Sequence, residues 1–137
     1  MEICTFFGHK DCPESLKPLL KEKICELIEN YNVREFFVGN QGNFDAIALN
    51  TLKDLAKTYT DIRYTVVLAY LPDETIENSI YPEEMAAVPY RFRIDKRNRW
   101  MINESQFVIT HIRHSVGGAA KYSEIAKKAG KTVINII

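Results

Sequence analysis

Gly117-Gly118-Ala119-Ala120 follows an apolar run at 107–112 (FVITHI) and opens a stretch of helical spacing. A strand, a glycine-bearing turn and a helix start, in that order, can hold an anion. The first backbone N–H groups of a helix have no intrahelical partner, and the helix dipole favours negative charge beside them. Glycine lets a ligand approach the backbone closely. The expected occupant is a phosphate-bearing, nucleotide-like molecule; a purely structural turn is the plainer alternative. The same order of elements recurs at Gly39-Asn40-Gln41-Gly42-Asn43, which separates the apolar run at 35–38 (EFFV) from a second helical stripe. Asp45 falls in the first turn of that helix, where it either complements the dipole or accepts hydrogen bonds from ligand hydroxyls. Gly8, His9 and Lys10 begin a third polar loop, which runs on through Asp11, Cys12 and Pro13. A fourth group is basic: Arg91, Arg93, Lys96, Arg97 and Arg99 stand against Asp95 alone. Either this is a solvated face or it binds phosphate, whose geometry the arginine fork matches. Ile94, Arg97, Asn98 and Met101 share one side of the helix predicted at 94–104.

The elements that must position these residues alternate. Strands are predicted at 2–7, 35–38, 62–69, 107–112 and 132–137, and helices with one buried stripe lie between them. The first helix is predicted to start at the N-cap Ser15 with Pro18 in its first turn; the last spans 119–129 with Gly130 as its C-terminal cap. Residues 70–93 carry three prolines and five acids and read as a ligand-covering excursion with one helical turn at 83–87. The closing strand, TVINII, is apolar enough to be covered on both faces. This pattern predicts one α/β domain over 1–137, a Rossmann-like three-layer sandwich on a five-stranded parallel sheet of order 3-2-1-4-5. In that order the switch point lies between the first and fourth strands, and ligands bind outside the carboxyl ends of the strands. All four polar groups then meet at one edge of the sheet.

Composition narrows the function. The 137 residues are 46% hydrophobic and 26% charged, ordinary for a soluble domain. Eighteen basic residues balance eighteen acidic ones, which argues against a protein that coats nucleic acid. The opening MEICTFFGHK lacks the pattern of a signal peptide, and no apolar run is long enough to span a membrane, so a cytoplasmic location is expected. Cys4, Cys12 and Cys25 match no zinc spacing and are expected to be free thiols, Cys4 and Cys25 on core faces. Cys12 lies in a loop near His9, a pair whose spacing disfavours both a metal site and a nucleophile–base couple. No metal and no cofactor are expected.

The segments CTFFGHKDCP, FFVGNQGNFD, VVLAYLP, RNRWMINES and VGGAAKYSE resemble the SLOG superfamily of Rossmann-like proteins, in particular a small standalone bacterial branch. The superfamily includes the LOG phosphoribohydrolases and the DNA-processing protein DprA, and the resemblance covers nearly the whole chain. LOG enzymes carry an arginine and a methionine on one helix, then a PGGxGTxxE loop, and their arginine and final glutamate carry hydrolysis of an N-glycosidic bond. The resemblance puts Arg97 and Met101 in the first motif, Gly117 and Gly118 in the second, and Glu124 at its end. Val116 replaces the motif's proline, Ala120 its third glycine and Lys121 its threonine, so the phosphate cradle is altered and Lys121 supplies compensating charge.

The resemblance thus implies binding of a nucleotide or an NAD- or ADP-ribose-derived small molecule, by a sensor or sequestering protein in nucleotide signalling or anti-phage defence. The ligand-binding set is Gly8, His9, Lys10, Gly39, Asn40, Gln41, Gly42, Asp45, Arg97, Asn98, Met101, Gly117, Gly118, Ala119, Ala120, Lys121 and Glu124. The alternatives are a nucleoside-monophosphate phosphoribohydrolase, with Arg97 and Glu124 catalytic, and a single-stranded DNA binder that uses residues 91–99 with Phe92 and Trp100. Nucleic acid is the less expected partner. A homodimer or higher homo-oligomer is expected, because LOG-like domains commonly pair.

Overall fold

A computed structural model describes residues 2–137. The strands are β1 (Glu2–Gly8), β2 (Val33–Val38), β3 (Arg63–Val67), β4 (Ser79–Ile80), β5 (Phe107–His111) and β6 (Thr132–Asn135). The helices are α1 (Lys17–Tyr31), α2 (Gly42–Leu55), α3 (Arg93–Glu104) and α4 (Gly118–Lys128). All strand pairs are parallel, in the order β4-β3-β2-β1-β5-β6.

Neighbouring strand residues face opposite sides of the sheet, and the core divides accordingly. Phe6, Phe36, Val66 and Ile109 pack with Leu20, Ile24 and Leu27 of α1 and with Phe44, Ile47 and Leu52 of α2. Phe7, Phe37, Val67 and Val108 pack with Met101 and Ile102 of α3 and with Tyr122 and Ala126 of α4. Two helices therefore cover each face, which makes three layers. The chain proceeds from β1 through β2 to β3 on one side of β1, and β5 and β6 lie on the other. The reversal between β1 and β5 leaves a crevice at the carboxyl ends of these two strands.

Several expectations are corrected. The sheet has six strands, not five, so its order differs from 3-2-1-4-5. The added β4 is two residues long, pairing Ser79 with Val66 and Ile80 with Val67, and two residues carry no detectable alternation. Ser15 caps nothing; it lies in the single 3-10 turn Glu14–Leu16 that precedes α1. The 70–93 segment holds β4 and two 3-10 turns, Glu83–Ala87 and Tyr90–Phe92. β6 is an edge strand that is partly covered on both faces: Ile134 packs against the α1–α2 side of the core and Val133 against the α3–α4 side, while Thr132 and Asn135 are exposed. Asn135 clamps the end of β5. Its Oδ1 accepts from Thr110 Oγ1 (3.0 Å) and Ile112 N (2.9 Å), and its Nδ2 donates to Ile112 O (3.1 Å).

Candidate functional site

The crevice between β1 and β5 opens into a cavity of about 550 Å³. Its walls come from four places. The loop after β1 supplies Gly8, His9, Lys10 and Asp11, and the start of α2 supplies Gln41 and Asp45. From α3 come Ile94, Arg97, Asn98 and Met101, as their shared helical side predicted. The loop after β5 and the start of α4 supply His114, Val116, Gly117, Gly118, Ala119 and Tyr122.

At the floor, Arg97 is 2% exposed. Its Nε donates to Asn98 Oδ1 (2.7 Å), its Nη1 to Val67 O (3.0 Å) and more weakly to Asn40 Oδ1 (3.4 Å), and its Nη2 to Gln41 Oε1. The guanidinium therefore ties α3 to the end of β3 and to the loop after β2. Burial lowers its pKa, and Asp45 opposes that shift. Asp45 Oδ2 accepts the Gln41 N–H at 3.0 Å. Gly39 sits against both residues: a Cβ there would lie 2.8 Å from Asp45 Oδ2 and 3.1 Å from Arg97 Cζ, so only glycine permits this approach. Burial pushes the Asp45 carboxyl up to about 6, against the pull of the Gln41 amide and the Arg97 charge. A carboxyl whose titration is moved this far inside a cavity is suited to proton exchange or to hydroxyl recognition.

At the rim, Gly117 adopts φ 101°, a conformation suited to glycine, and α4 starts at the next residue. Gly118 has no such φ, and nothing lies within 4 Å of where its Cβ would be. Neither backbone strain nor packing accounts for glycine at 118. What its absent side chain leaves open is the approach to the N-terminus of α4. On the wall beneath, Tyr122 stacks on Phe7 (5.4 Å between ring centroids) and donates its hydroxyl to Asp95 Oδ1 at 2.7 Å. Burial, then the Asp95 carboxylate, push the Tyr122 phenol up to about 12.

Not every expected site residue reaches this cavity. Gly39 and Asn40 stand behind Arg97, and Gly42 backs onto Lys10, where a Cβ would meet the Lys10 Cα at 2.9 Å. Lys121 points its ammonium at Asp95 Oδ1 (3.3 Å), and Ala120 and Glu124 line a separate depression of about 560 Å³ between α4 and the β5–β6 edge. Glu124 is paired with Lys127 at 3.5 Å, with its side chain 63% exposed. Arg97 and Glu124 are thus not brought together. Cys12 lies in the loop after β1 but is buried there, and burial raises its pKa. Of the basic stretch, Arg93 is spent on Val88 O and Tyr81 Oη, Arg97 is internal, and Arg99 pairs with Asp95. Sequence reasoning missed His114, Val116, Tyr122 and Asp11 as cavity residues. Tyr122 follows Gly118 by one helical turn, and that spacing was the available signal.

Among the described residues, no group of three or more His, Cys, Asp or Glu side chains is placed to hold a metal ion. Among the same residues, no helix is long and apolar enough to cross a membrane. No protein-family model and no curated protein matches the sequence. Among solved structures, the chain is similar to DNA processing protein A (DprA) from Streptococcus pneumoniae, with a TM-score of 0.73 at 17% identity. The likeness covers 100% of this chain and 50% of that one, so the chain spans half the length of its structural neighbour. At this identity the likeness is one of fold: Rossmann-like and DprA-like.

Proposed function

We propose that the cavity between β1 and β5 binds a nucleotide-derived small molecule, of the nucleoside-phosphate or ADP-ribose class. The observation that carries this reading is the open position of Gly118, where a Cβ would meet nothing within 4 Å, at a helix N-terminus that lines the cavity. An anionic group there would meet unpaired N–H donors. Asp45, across the cavity, is suited to accept ribose hydroxyls, and Arg97 acts from behind by fixing Gln41 and Asn98 rather than by gripping the phosphate. The protein on this account senses or sequesters its ligand in the cytoplasm, as a homodimer or higher homo-oligomer. Hydrolysis by an Arg97–Glu124 pair finds no support, because the two side chains line different depressions.

One incubation tests the proposal. The protein is mixed with nucleoside monophosphates, NAD, ADP-ribose and cyclic ADP-ribose, filtered, denatured, and both fractions are separated by HPLC. An intact nucleotide recovered from the protein fraction is expected. Free base in the filtrate would replace this reading with the phosphoribohydrolase. If neither an intact nucleotide nor a free base is found, the small-molecule reading is abandoned.

A second reading has its own observation. Tyr70 stacks on Tyr90 (4.3 Å), Arg91 lies over Phe92 (4.7 Å), and Tyr90 and Phe92 are 71% and 49% exposed. Exposed aromatics beside arginines suit stacking on unpaired bases, and the structural neighbour is a DNA processing protein. A gel shift with a single-stranded oligonucleotide at low salt decides it, since absence of a complex removes this reading.

A further inference from the structure

All three histidines of the chain converge at one corner of the cavity, between the ends of β1 and β5. His9 and His114 stack with ring centroids 4.1 Å apart and planes at 16°. His111 meets His9 edge-on at 6.3 Å and lies along the Phe44 ring at 6.2 Å. Each ring has a definite hydrogen-bond duty. His111 Nδ1 donates to Ile136 O (2.8 Å), and His114 Nδ1 donates to Val116 O (3.1 Å). His9 differs: its Nε2 accepts the backbone N–H of Arg113 at 3.0 Å. An accepting Nε2 puts the single proton of neutral His9 on Nδ1.

We propose that His9 is a positioning residue that latches residues 113–117 over the cavity, and that protonation of its ring opens the latch. A proton on Nε2 turns the acceptor into a donor facing the donor N–H of Arg113, so the bond is lost and repulsion replaces it. The same proton places a cation against the stacked face of His114. The groups that face His9 are His114 from the loop, His111 from β5 and Asp11 from its own loop. Burial and then the two histidines lower its pKa, and Asp11 alone pulls the other way, so the neutral, latching form is favoured at neutral pH. The residue just before the latch is not released, because Asn135 holds Ile112 through bonds that do not titrate, so the movement begins at Arg113. The segment that swings carries His114, Val116 and Gly117, which are cavity walls. The consequence for ligands rests on the proposed nucleotide site; the latch itself does not.

The test uses NMR on the full chain, wild type and His9→Gln, from about pH 8 to about pH 5. Glutamine keeps an acceptor amide but does not titrate. In the wild type the His9 ring is expected as the Nδ1–H tautomer near neutrality, with a titration midpoint below 6.5, and the Arg113 and Gly117 amides should move with that midpoint. In His9→Gln those amides should hold their high-pH positions throughout. In His114→Gln the movement should persist with its midpoint displaced upward. An Nε2–H tautomer, an Arg113 amide indifferent to the His9 titration, or an unchanged profile in His9→Gln would overturn the proposal. With ADP-ribose as probe, wild-type affinity should fall across this range by at least ~10-fold more than that of His9→Gln, in which the Asp45 titration remains but the latch does not. Equal losses in both would overturn the latch; a wild type that binds no nucleotide but shows the amide behaviour would overturn the proposed function alone.

Discussion

At the residue scale, Asp45 and Arg97 are opposite cases of burial. Asp45 carries a carboxyl that titrates at about 6 instead of 3.8, because burial outweighs its amide and arginine partners. The folded chain therefore holds the Asp45 proton more tightly than the unfolded chain. Its contribution to stability is fully present below 3.8 and is lost as pH rises through about 6. Asn at this position can still accept from the Gln41 N–H and has no charge to bury. Asp45→Asn should thus be more stable than wild type by up to ~3 kcal/mol near neutrality, with the gain vanishing in acid. Urea melts at several pH values check this, and a destabilised variant at neutral pH would count against the assignment. Arg97 behaves in reverse, since its charge is buried but shared among Val67 O, Asn98, Asn40 and Gln41. Arg97→Met should cost ~3 kcal/mol or more by leaving buried acceptors unmet, and Arg97→Lys should recover little, because one ammonium cannot reproduce the fork. Thermal denaturation measures both. The sequence put Arg97 on one helical side with Asn98 and Met101, and all three line the cavity. It could not reveal that the guanidinium is internal, because that depends on Val67 and Gln41 reaching it from distant elements.

At the element scale, the start of α4 separates folding from binding. Gly117 has φ 101° and Gly118 does not, and neither would bring a Cβ into contact. Gly117→Ala should cost ~1 kcal/mol from backbone strain, whereas Gly118→Ala should be neutral or stabilising by ~0.5 kcal/mol. Gly118→Glu should leave the melting temperature near wild type and abolish retention of any nucleotide, because the carboxylate would occupy the anion's position. Loss of folding in Gly118→Glu would contradict the open geometry. The long helices were legible because their apolar stripes recur over three or four turns. β4 was not, since two residues contain no period, and its place is set by backbone bonds such as Val66 N to Asn78 O (2.7 Å). The apolar sequence of β6 told of cover on both faces, which Val133 and Ile134 provide in part, but not of its place at the sheet edge or of the Asn135 bonds that extend its pairing with β5.

At the scale of the whole molecule, the parallel sheet brings the loops after β1, β2 and β5 to one edge, and that convergence followed from element alternation alone. Which residues of those loops share a cavity did not follow. Glu124 lies only six residues beyond Gly118 (124 − 118 = 6), yet it belongs to the depression on the far side of α4. His9 and Arg113 are distant in sequence and joined by a hydrogen bond. With zero net charge, the chain should form no complex with duplex DNA at moderate salt, which a gel shift checks. The most direct test of the central claim maps the site. Backbone amide shifts are recorded as ADP-ribose or AMP is added to the full chain. The account predicts changes at Gly118, Ala119, Gln41 and Asp45, around the cavity between β1 and β5. Changes confined to the depression lined by Ser123, Glu124 and Lys127, or none with either nucleotide, would contradict it.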